Sequence, residues 1–374
     1  MRYFLRAAIL ASAISIPLCA RAATPPDPLL TEATDLAGYA MFASSGAPGM
    51  VLVVVRGPEQ VVLGFGETAK GNHRTPNGQT LFRLNSITKV FAGQVLAAEE
   101  AAGKLSMIAP LQRYAQSGTV PAGPSGRPIT LLDLATHSAA LPREIGEAPP
   151  NMPPRTWPTQ ADRWKWLATY KLPWDPGTVT SYSNVGFDFL ADALGTAGGK
   201  PYPQLLHDLI TGPLDMPDTV FAPTAGQCAQ LMLGTGLGGA GPCVDTSASD
   251  GSGGLYSTGD DMARWLHDLL NIKDPTNILD QAVYRERQTM PAAIGFDEAS
   301  PMNGLGLGWV ITAAHGPMPA LLDKSGGGVG FMSYVVFAPG TGVGVFVVVN
   351  KADFAMFEGI AHGANALVAT LTTR

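Results

Sequence analysis

Charged residues are scarce in this sequence, and positive charge is not in excess. They make up 14% of the chain, and the formal net charge is −6 at pH 7. A chain without a basic surface lacks the electrostatic attraction that draws a protein to nucleic acid or to an anionic membrane. We therefore expect no nucleic-acid partner. Hydrophobic residues make up 46% of the sequence, which suits a packed core and argues against disorder.

Clustered metal ligands are also missing. The six histidines are scattered without H-E-x-x-H or similar spacing, so we predict no metal ion and no other cofactor. Of the three cysteines, Cys19 falls in the N-terminal segment considered below, which leaves Cys228 and Cys243. In an exported protein an isolated pair predicts a disulfide. It would close a short loop and stabilise the fold by about 3 kcal/mol.

Two common functional motifs are absent or incomplete. No serine has glycine both two positions before and two positions after it, which excludes the nucleophile elbow of α/β-hydrolases. The stretch GTGLGG at residues 234–239 matches G-x-G-x-x-G, but no clear strand precedes it and Pro242 and Cys243 follow instead of a helix. A nucleotide site is therefore disfavoured.

Only the N-terminus has the pattern of a targeting segment. The stretch MRYFLRAAILASAISIPLCARA has Arg2 and Arg6, an apolar run and a small-x-small ending. This layout predicts a secretory signal peptide over residues 1–22, whose apolar run is too short to span a bilayer comfortably. No later segment is long and apolar enough to span one. We expect an exported single domain over residues 23–374, for which peripheral membrane contact stays open.

Strand patterns lie at both ends of the chain. The stretch GMVLVVVRGPEQVVLGFGE predicts two strands joined by a turn at Gly57-Pro58. Near the C-terminus, FMSYVVFAPGTGVGVFVVVNKA predicts a second hairpin, and FEGIAHGANALVATL then predicts a closing helix. The N- and C-terminal strands are expected to form one antiparallel sheet.

Helical patterns fill the middle of the chain. The segment after Ser86 is rich in helix formers, and residues 105–295 alternate helical segments with loops rich in proline and glycine. One loop, EIGEAPPNMPPRTWP, is too rich in proline for regular structure. These patterns predict an α/β fold with helices flanking the sheet and a mostly helical insertion. The α/β part covers about residues 45–85 and 300–374, and the helical part about 86–299.

Ser86 and Lys89, in NSITKVFAG, are the first candidate catalytic pair. Residues three apart lie on one face of a helix, so Lys89 can reach the hydroxyl of Ser86, which needs a base to become a nucleophile. Burial beside Ile87, Val90 and Phe91 would lower the pKa of the lysine. Because S-x-x-K occurs by chance about once in a chain of this length, the pair alone also fits an ordinary helix start.

Two other stretches supply partners that such a serine needs. TSYSN contains Tyr182, which can relay a proton, and Asn184, which can donate to a substrate amide. LLDKSGGG places Lys324 and Ser325 at the entry to a strand, where they offer a second positive charge and a carboxylate ligand. The glycines would let a substrate backbone lie along the strand edge. Taken singly, Tyr182 is better explained as an aromatic residue at a helix start, and Lys324 as a solvated lysine in a turn.

Together and in this order, the three stretches resemble the serine penicillin-recognising family, which carries S-x-x-K, Y-x-N and K-[ST]-G. Tyrosine in the second motif looks like the class C β-lactamase branch and its peptidase relatives. LLDLATHSAALPRE, WDPGTVTSYSN and GSGGLYSTGDDMARW also look like that branch, so the resemblance runs from about Gly49 to the C-terminus. The subgroup it resembles most is the periplasmic D-alanyl-D-alanine carboxypeptidase/endopeptidases of the AmpH type. The resemblance implies a β-lactamase/transpeptidase-like fold.

The same resemblance implies roles for the residues that match the first two motifs. Ser86 would be the acylated nucleophile, and Lys89 and Tyr182 would share the proton transfers. Which of these two is the general base stays open. Asn184 would hold an amide or a carbonyl of the substrate.

Further roles follow from the third motif and from the stretch LPRE. The resemblance implies that Lys324 and Ser325 bind the terminal carboxylate of the substrate. The backbone N–H groups of Ser86 and Gly327 would form an oxyanion hole. Glu144 would line the cleft where β-lactamases of this branch carry glutamine, a departure that argues against an efficient cephalosporinase.

The implied function is that of a periplasmic serine D,D-peptidase. Its partners would be peptidoglycan muropeptides, cleaved at the terminal D-alanyl-D-alanine bond and also, in an endopeptidase, at the cross-link. β-Lactams would acylate the same serine. Three alternatives stay open: a class C-like β-lactamase, an esterase with the same motifs, and a non-catalytic penicillin or muropeptide receptor.

Overall fold

The computed structural model describes residues 27–116, 118–296 and 301–373. The predicted signal peptide, residues 1–22, lies outside the described residues. The strands are β1 (Gly49–Arg56), β2 (Glu59–Gly66), β3 (Leu81–Arg83), β4 (Thr180–Ser181), β5 (Thr235–Gly236), β6 (Tyr256–Thr258), β7 (Arg285–Glu286), β8 (Ala293–Ile294), β9 (Gly304–Leu305), β10 (Val310–Thr312), β11 (Leu321–Gly328), β12 (Phe331–Ala338), β13 (Val343–Val349) and β14 (Lys351–Ala352).

The helices lie mostly between the two groups of long strands. They are α1 (Pro28–Ser45), α2 (Thr88–Ala101), α3 (Leu131–Ala135), α4 (Gln160–Leu167), α5 (Asn184–Gly198), α6 (Tyr202–Leu206), α7 (Ala225–Cys228), α8 (Gly259–Leu269), α9 (Pro275–Asp280) and α10 (Phe354–Thr372). Short 3₁₀ turns span Asn85–Ile87, Leu111–Tyr114, Ser247–Ser249 and Arg287–Thr289, and a π turn spans His207–Thr211.

One antiparallel sheet unites the two ends of the chain, as the strand patterns predict. Its order is β2-β1-β13-β12-β11-β10-β9-β7. The register of β1 on β13 pairs Val53 with Phe346. Both predicted hairpins are confirmed, since β1 and β2 flank Gly57-Pro58 and β12 and β13 flank residues 339–342. The predicted fold class is therefore correct.

Both faces of the sheet are buried. Because side chains alternate along a strand, Val51, Val53 and Val55 pack in one core with side chains of α2 and α8. Met50 and Leu52 point the other way, into a second core with residues of α1 and α10. Two-sided burial explains why β1 reads as a continuous apolar run.

Helix α1 has no clear helical signal in the sequence. Its buried residues are Leu30, Thr34, Gly38, Met41 and Ser45. Small and polar side chains on the packing face leave little apolar periodicity in the sequence. Helix α10 begins at Phe354, three residues before the predicted stretch, because the side chain of Asp353 caps it.

The predicted disulfide joins Cys228 to Cys243, with Cα atoms 5.8 Å apart. It links the end of α7 to the long loop that precedes β6. Across the described ranges, we find no helix with the length and apolarity needed to cross a bilayer.

Candidate active site

Ser86 lies on the 3₁₀ turn that leads into α2, and a hydrogen bond joins this turn to the sheet. Asn85 has φ +50°, a left-handed conformation that asparagine tolerates better than most residues. Its Nδ2 donates to the carbonyl of Gly328 at 2.8 Å. The turn therefore holds Ser86 at a fixed place beside the end of β11.

Gly326 lets β11 approach this turn. A Cβ atom at Gly326 would lie 2.2 Å from the carbonyl oxygen of Leu84. Ser333, on β12, donates its hydroxyl to the same carbonyl at 2.9 Å. The glycine of the K-S-G stretch is thus required by backbone contact, and it sets the spacing between the strand and Ser86.

Lys89 is fully buried beneath Ser86. Its Nζ donates to Ser86 Oγ at 3.3 Å, to Asn184 Oδ1 at 2.6 Å and to the carbonyl of Ser252 at 2.7 Å. These acceptors match the three donors of an ammonium group. Burial lowers the pKa of Lys89, Tyr182 opposes the shift, and the positive charge of Lys324 adds to it, so that the pKa is about 8.

Tyr182 is buried among positive charges. Its ring centroid lies 4.8 Å from Lys89 Nζ, 5.0 Å from Lys324 Nζ and 4.7 Å from Arg143 Cζ. Burial alone would raise the pKa of the phenol, but Lys324, Lys89 and hydrogen bonds from Ser86 and Lys89 outweigh it and lower the pKa to about 7. The two lysines thus favour the ionised form of the phenol.

The Y-S-N stretch is held in place by its middle residue. Ser183 caps α5 by accepting from the N–H of Gly186 at 2.9 Å, and its hydroxyl donates to the carbonyl of Pro142 at 2.6 Å. The N–H of Asn184 donates to the carbonyl of Arg143 at 3.0 Å. Tyr182 and Asn184 are therefore positioned by a cap and by the neighbouring loop together.

Asn184 connects Lys89 to the solvent side of the cleft. Its Oδ1 accepts from Lys89, and its Nδ2 donates to Oε1 of Glu144. Glu144 is exposed. The structure therefore brings Glu144 to the site through Asn184, and the carboxylate engages the amide donor that would otherwise be open to a ligand carbonyl.

The ladder on one side of the strand that carries the K-S-G stretch stops short of that stretch, within the part of the chain that the structure describes. The ladder between β10 and β11 ends at the pair Val310 and Asp323. From Lys324 to Gly328, the described strand pairs through its ladder with β12. Ser325 and Gly327 lie in this segment, which can accept an extended backbone as an added strand.

His137 is a further residue of the site, although no motif in the sequence indicated it. Its ring stacks on Tyr182 at 4.4 Å, and Nδ1 accepts from the N–H of Ser183 at 3.0 Å. Burial, followed by Lys324 and Lys89, holds the pKa of His137 well below its usual value. The neutral ring thus forms a flat wall behind Tyr182. No spacing in the sequence marks it.

Metal ligands are not part of this arrangement. Among the described residues, no group of three or more His, Cys, Asp and Glu side chains could hold a metal ion. The hydroxyl, phenol and ammonium groups that do meet in the site suit nucleophilic attack by a serine with proton transfer to a neighbouring phenol oxygen.

Comparison with known proteins identifies the family of the chain. The protein-family model described as Beta-lactamase matches residues 32–370. The chain belongs to the β-lactamase family. A β-lactamase family relative, the D-alanyl-D-alanine-carboxypeptidase/endopeptidase AmpH of Escherichia coli K12, is 40% identical over 336 residues, which cover 89% of this chain and 87% of that protein.

Two further β-lactamase family members illustrate the range of the similarity. A Beta-lactamase of Escherichia coli K12 is 26% identical over 331 residues, covering 81% of this chain and 84% of that protein. The crystal structure of a Beta-lactamase/D-alanine Carboxypeptidase from Yersinia pestis complexed with citrate matches with a TM-score of 0.87 at 40% identity. That match covers 92% of this chain and 98% of the other.

The contact of Gly326 with Leu84 leads to a testable prediction. In Gly326→Ala the new Cβ would push β11 away from the turn that carries Ser86, so we expect burst acylation of Ser86 by p-nitrophenyl acetate to slow about 100-fold. Gly340→Ala is the matched control, because a Cβ there meets no atom within 4 Å. Equal burst rates in the two variants would contradict the role of this contact.

Proposed function

We propose that the protein is an exported serine D,D-peptidase that acts on peptidoglycan peptides. It would remove the terminal D-alanine as a carboxypeptidase and would also cleave the D-alanyl cross-link as an endopeptidase. The observation that carries the proposal is the buried contact of Ser86 and Lys89 with Tyr182, whose phenol lies between two lysines. The names of the relatives from Escherichia coli and Yersinia pestis support the same substrate class.

In the proposed acylation, Tyr182 acts as the base. Its anion takes the proton of Ser86, whose Oγ attacks the carbonyl carbon of the scissile D-alanyl bond. The N–H groups of Ser86 and Gly327 stabilise the developing oxyanion. The proton then passes from the phenol to the amine of the departing D-alanine, which leaves an ester on Ser86.

Lys89 has an electrostatic role in this scheme. Its pKa of about 8 lies above that of Tyr182, at about 7, so the proton stays on the amine while the phenol ionises. Its ammonium stabilises the phenolate and holds Asn184. Deacylation repeats the chemistry with water in place of the leaving amine, and Tyr182 again accepts the proton.

The end of the described β10–β11 ladder at Asp323 supports binding of a peptide with a free C-terminus beside Lys324 and Ser325. An extended substrate would add to this edge and place its terminal carboxylate at Lys324 and Ser325. A β-lactam presents an amide and a carboxylate in a similar arrangement, so we propose that it acylates Ser86 too. Glu144 already accepts a hydrogen bond from the amide nitrogen of Asn184, and we expect the penicilloyl ester to be long-lived, as in a peptidase rather than a β-lactamase.

The proposed site of action is the periplasm. The segment at residues 1–22 has the layout of a secretory signal. The Cys228–Cys243 disulfide fits an oxidising compartment. An exported enzyme would meet its peptidoglycan substrate there.

The proposed reaction can be tested with the purified mature protein. Incubated with a muropeptide pentapeptide and with a cross-linked dimer, it should release D-alanine and cleave the dimer, as read by mass spectrometry. Ser86→Ala should reduce both rates by about 10³-fold or more, whereas Ser44→Ala, on the exposed side of α1, should not. D-Alanine release that persists in Ser86→Ala would rule out this mechanism.

The pKa values of Tyr182 and Lys89 predict how kcat/KM depends on pH. The value of kcat/KM should rise as Tyr182 ionises, near pH 7, and fall as Lys89 loses its proton, near pH 8. In Lys324→Gln the phenol loses a positive neighbour, its pKa rises, and the acid limb should move up by about 1 pH unit or more. Lys273→Gln, at an exposed position, should leave the profile unchanged. An acid limb that stays in place in Lys324→Gln would refute the assignment of Tyr182 as base.

A further inference from the structure

We propose that Arg155 determines substrate specificity on the acyl side of the cleft. Together with Glu144, it would select peptides in which the residue before the two D-alanines has a side chain ending in a zwitterion, a carboxylate and an ammonium on one carbon. This proposal rests on the proposed function, since it names the residue that the D,D-peptidase would recognise next to its scissile unit.

Arg155 is poised for a ligand. It lies in the proline-rich loop at residues 144–158, has φ +68° and is half-buried. It forms no hydrogen bond or ion pair with another residue that the structure describes. A left-handed conformation in a residue other than glycine is costly and is found most often at functional sites. A half-buried guanidinium without an acceptor is a ready site for a carboxylate.

The guanidinium lies beside Gly253, next to the residue whose carbonyl accepts from Lys89. A Cβ atom on Gly253 would lie 2.8 Å from Arg155 Cζ, so the absence of a side chain there makes room for the group. Gly253 follows Ser252, whose carbonyl accepts from Lys89. On the other side, Nη2 lies 3.7 Å from the position of a Cβ on Gly328. Arg155 therefore reaches from the loop to the far end of β11.

The position along β11 assigns Arg155 to the acyl side of the substrate. Gly328 lies four residues beyond Lys324, a distance of about 13 Å along an extended strand. With the terminal carboxylate held at Lys324 and Ser325, a peptide added to this edge would direct its acyl side toward Gly328. The side chain that reaches Arg155 then belongs to a residue upstream of the scissile bond.

The recess beside Arg155 also carries negative charge. It has a volume of about 220 Å³, large enough for the end of a side chain, and its walls include Glu144, Trp157, Asp188 and Ser252. Asp188 is almost fully buried, and its Oδ1 has no hydrogen-bond partner. The recess thus holds one unpartnered cation, an exposed carboxylate and a buried carboxyl oxygen without a donor.

This combination of charges favours a zwitterion over either ion alone. A lone carboxylate would pair with Arg155 but face Glu144 and Asp188, and a lone ammonium would pair with the acids but face Arg155. A group that carries both charges can pair with Arg155 and with the acidic side chains at the same time. The recess therefore binds the zwitterion and disfavours a ligand that carries only one of the two charges. The carboxylate would accept from Arg155 and the ammonium would donate to Glu144.

The test compares three pentapeptides that differ only in the residue before the two D-alanines. That residue is meso-diaminopimelate, with a zwitterionic end, or lysine, with an ammonium only, or norleucine, with neither. For the unmodified enzyme we expect kcat/KM to be about tenfold or more higher for the diaminopimelate peptide than for the lysine peptide. Arg155→Gln should abolish that preference and leave the norleucine peptide within about twofold.

Two further variants complete the design. Arg155→Lys should keep part of the preference that Arg155→Gln loses, because lysine keeps the positive charge but cannot form the bidentate hydrogen bonds of a guanidinium. Arg113→Gln, which removes an exposed guanidinium outside the cleft, should keep the full preference for the diaminopimelate peptide.

The possible outcomes separate this inference from the proposed function. A preference that survives Arg155→Gln, or an equal loss for all three peptides, would overturn the role of Arg155 while the D,D-peptidase stands. If the unmodified enzyme releases D-alanine from none of the three, the proposed function fails and this inference fails with it.

Discussion

The interaction on which the site depends is the burial of two lysines against one tyrosine. Lys89 and Lys324 both lie within about 5 Å of the Tyr182 ring centre, and all three side chains are buried. Two ammonium groups removed from water repel each other, and a negative charge between them lowers this cost. Ionising Tyr182 supplies that charge. The chemistry that we propose for Ser86 uses the same phenolate as its base.

The fold keeps these charges together by backbone contact. The Lys89–Asn184 hydrogen bond joins residues 95 positions apart in the chain, and each partner enters from a different element. Gly326 brings β11 against Leu84, Ser183 caps α5 and ties it to Pro142, and His137 backs the ring of Tyr182. A cleft built from three rigid elements can hold its groups to within a fraction of an ångström, as acyl transfer requires.

The sequence predicted the parts of this arrangement that rest on local patterns. Runs of β-branched residues predicted both hairpins, and three spaced motifs predicted which polar side chains meet. The remaining features depend on contacts between distant segments. His137 and Arg155 lie in loops without any periodic signal, and Arg155 has room only because Gly253, 98 positions later in the sequence, has no side chain. Helix α1 packs through small and polar residues, so its apolar pattern is weak.

The most direct test of the proposed charge balance is the ionisation of Tyr182 in the resting protein. Tyrosine labelled with ¹³C at Cζ reports ionisation by NMR, and Tyr182→Phe identifies the resonance. Titrated from about pH 5 to about pH 11, it should change near pH 7, far below the ordinary value of about 10. A resonance that remains that of a neutral phenol until about pH 10 would contradict a tyrosinate base.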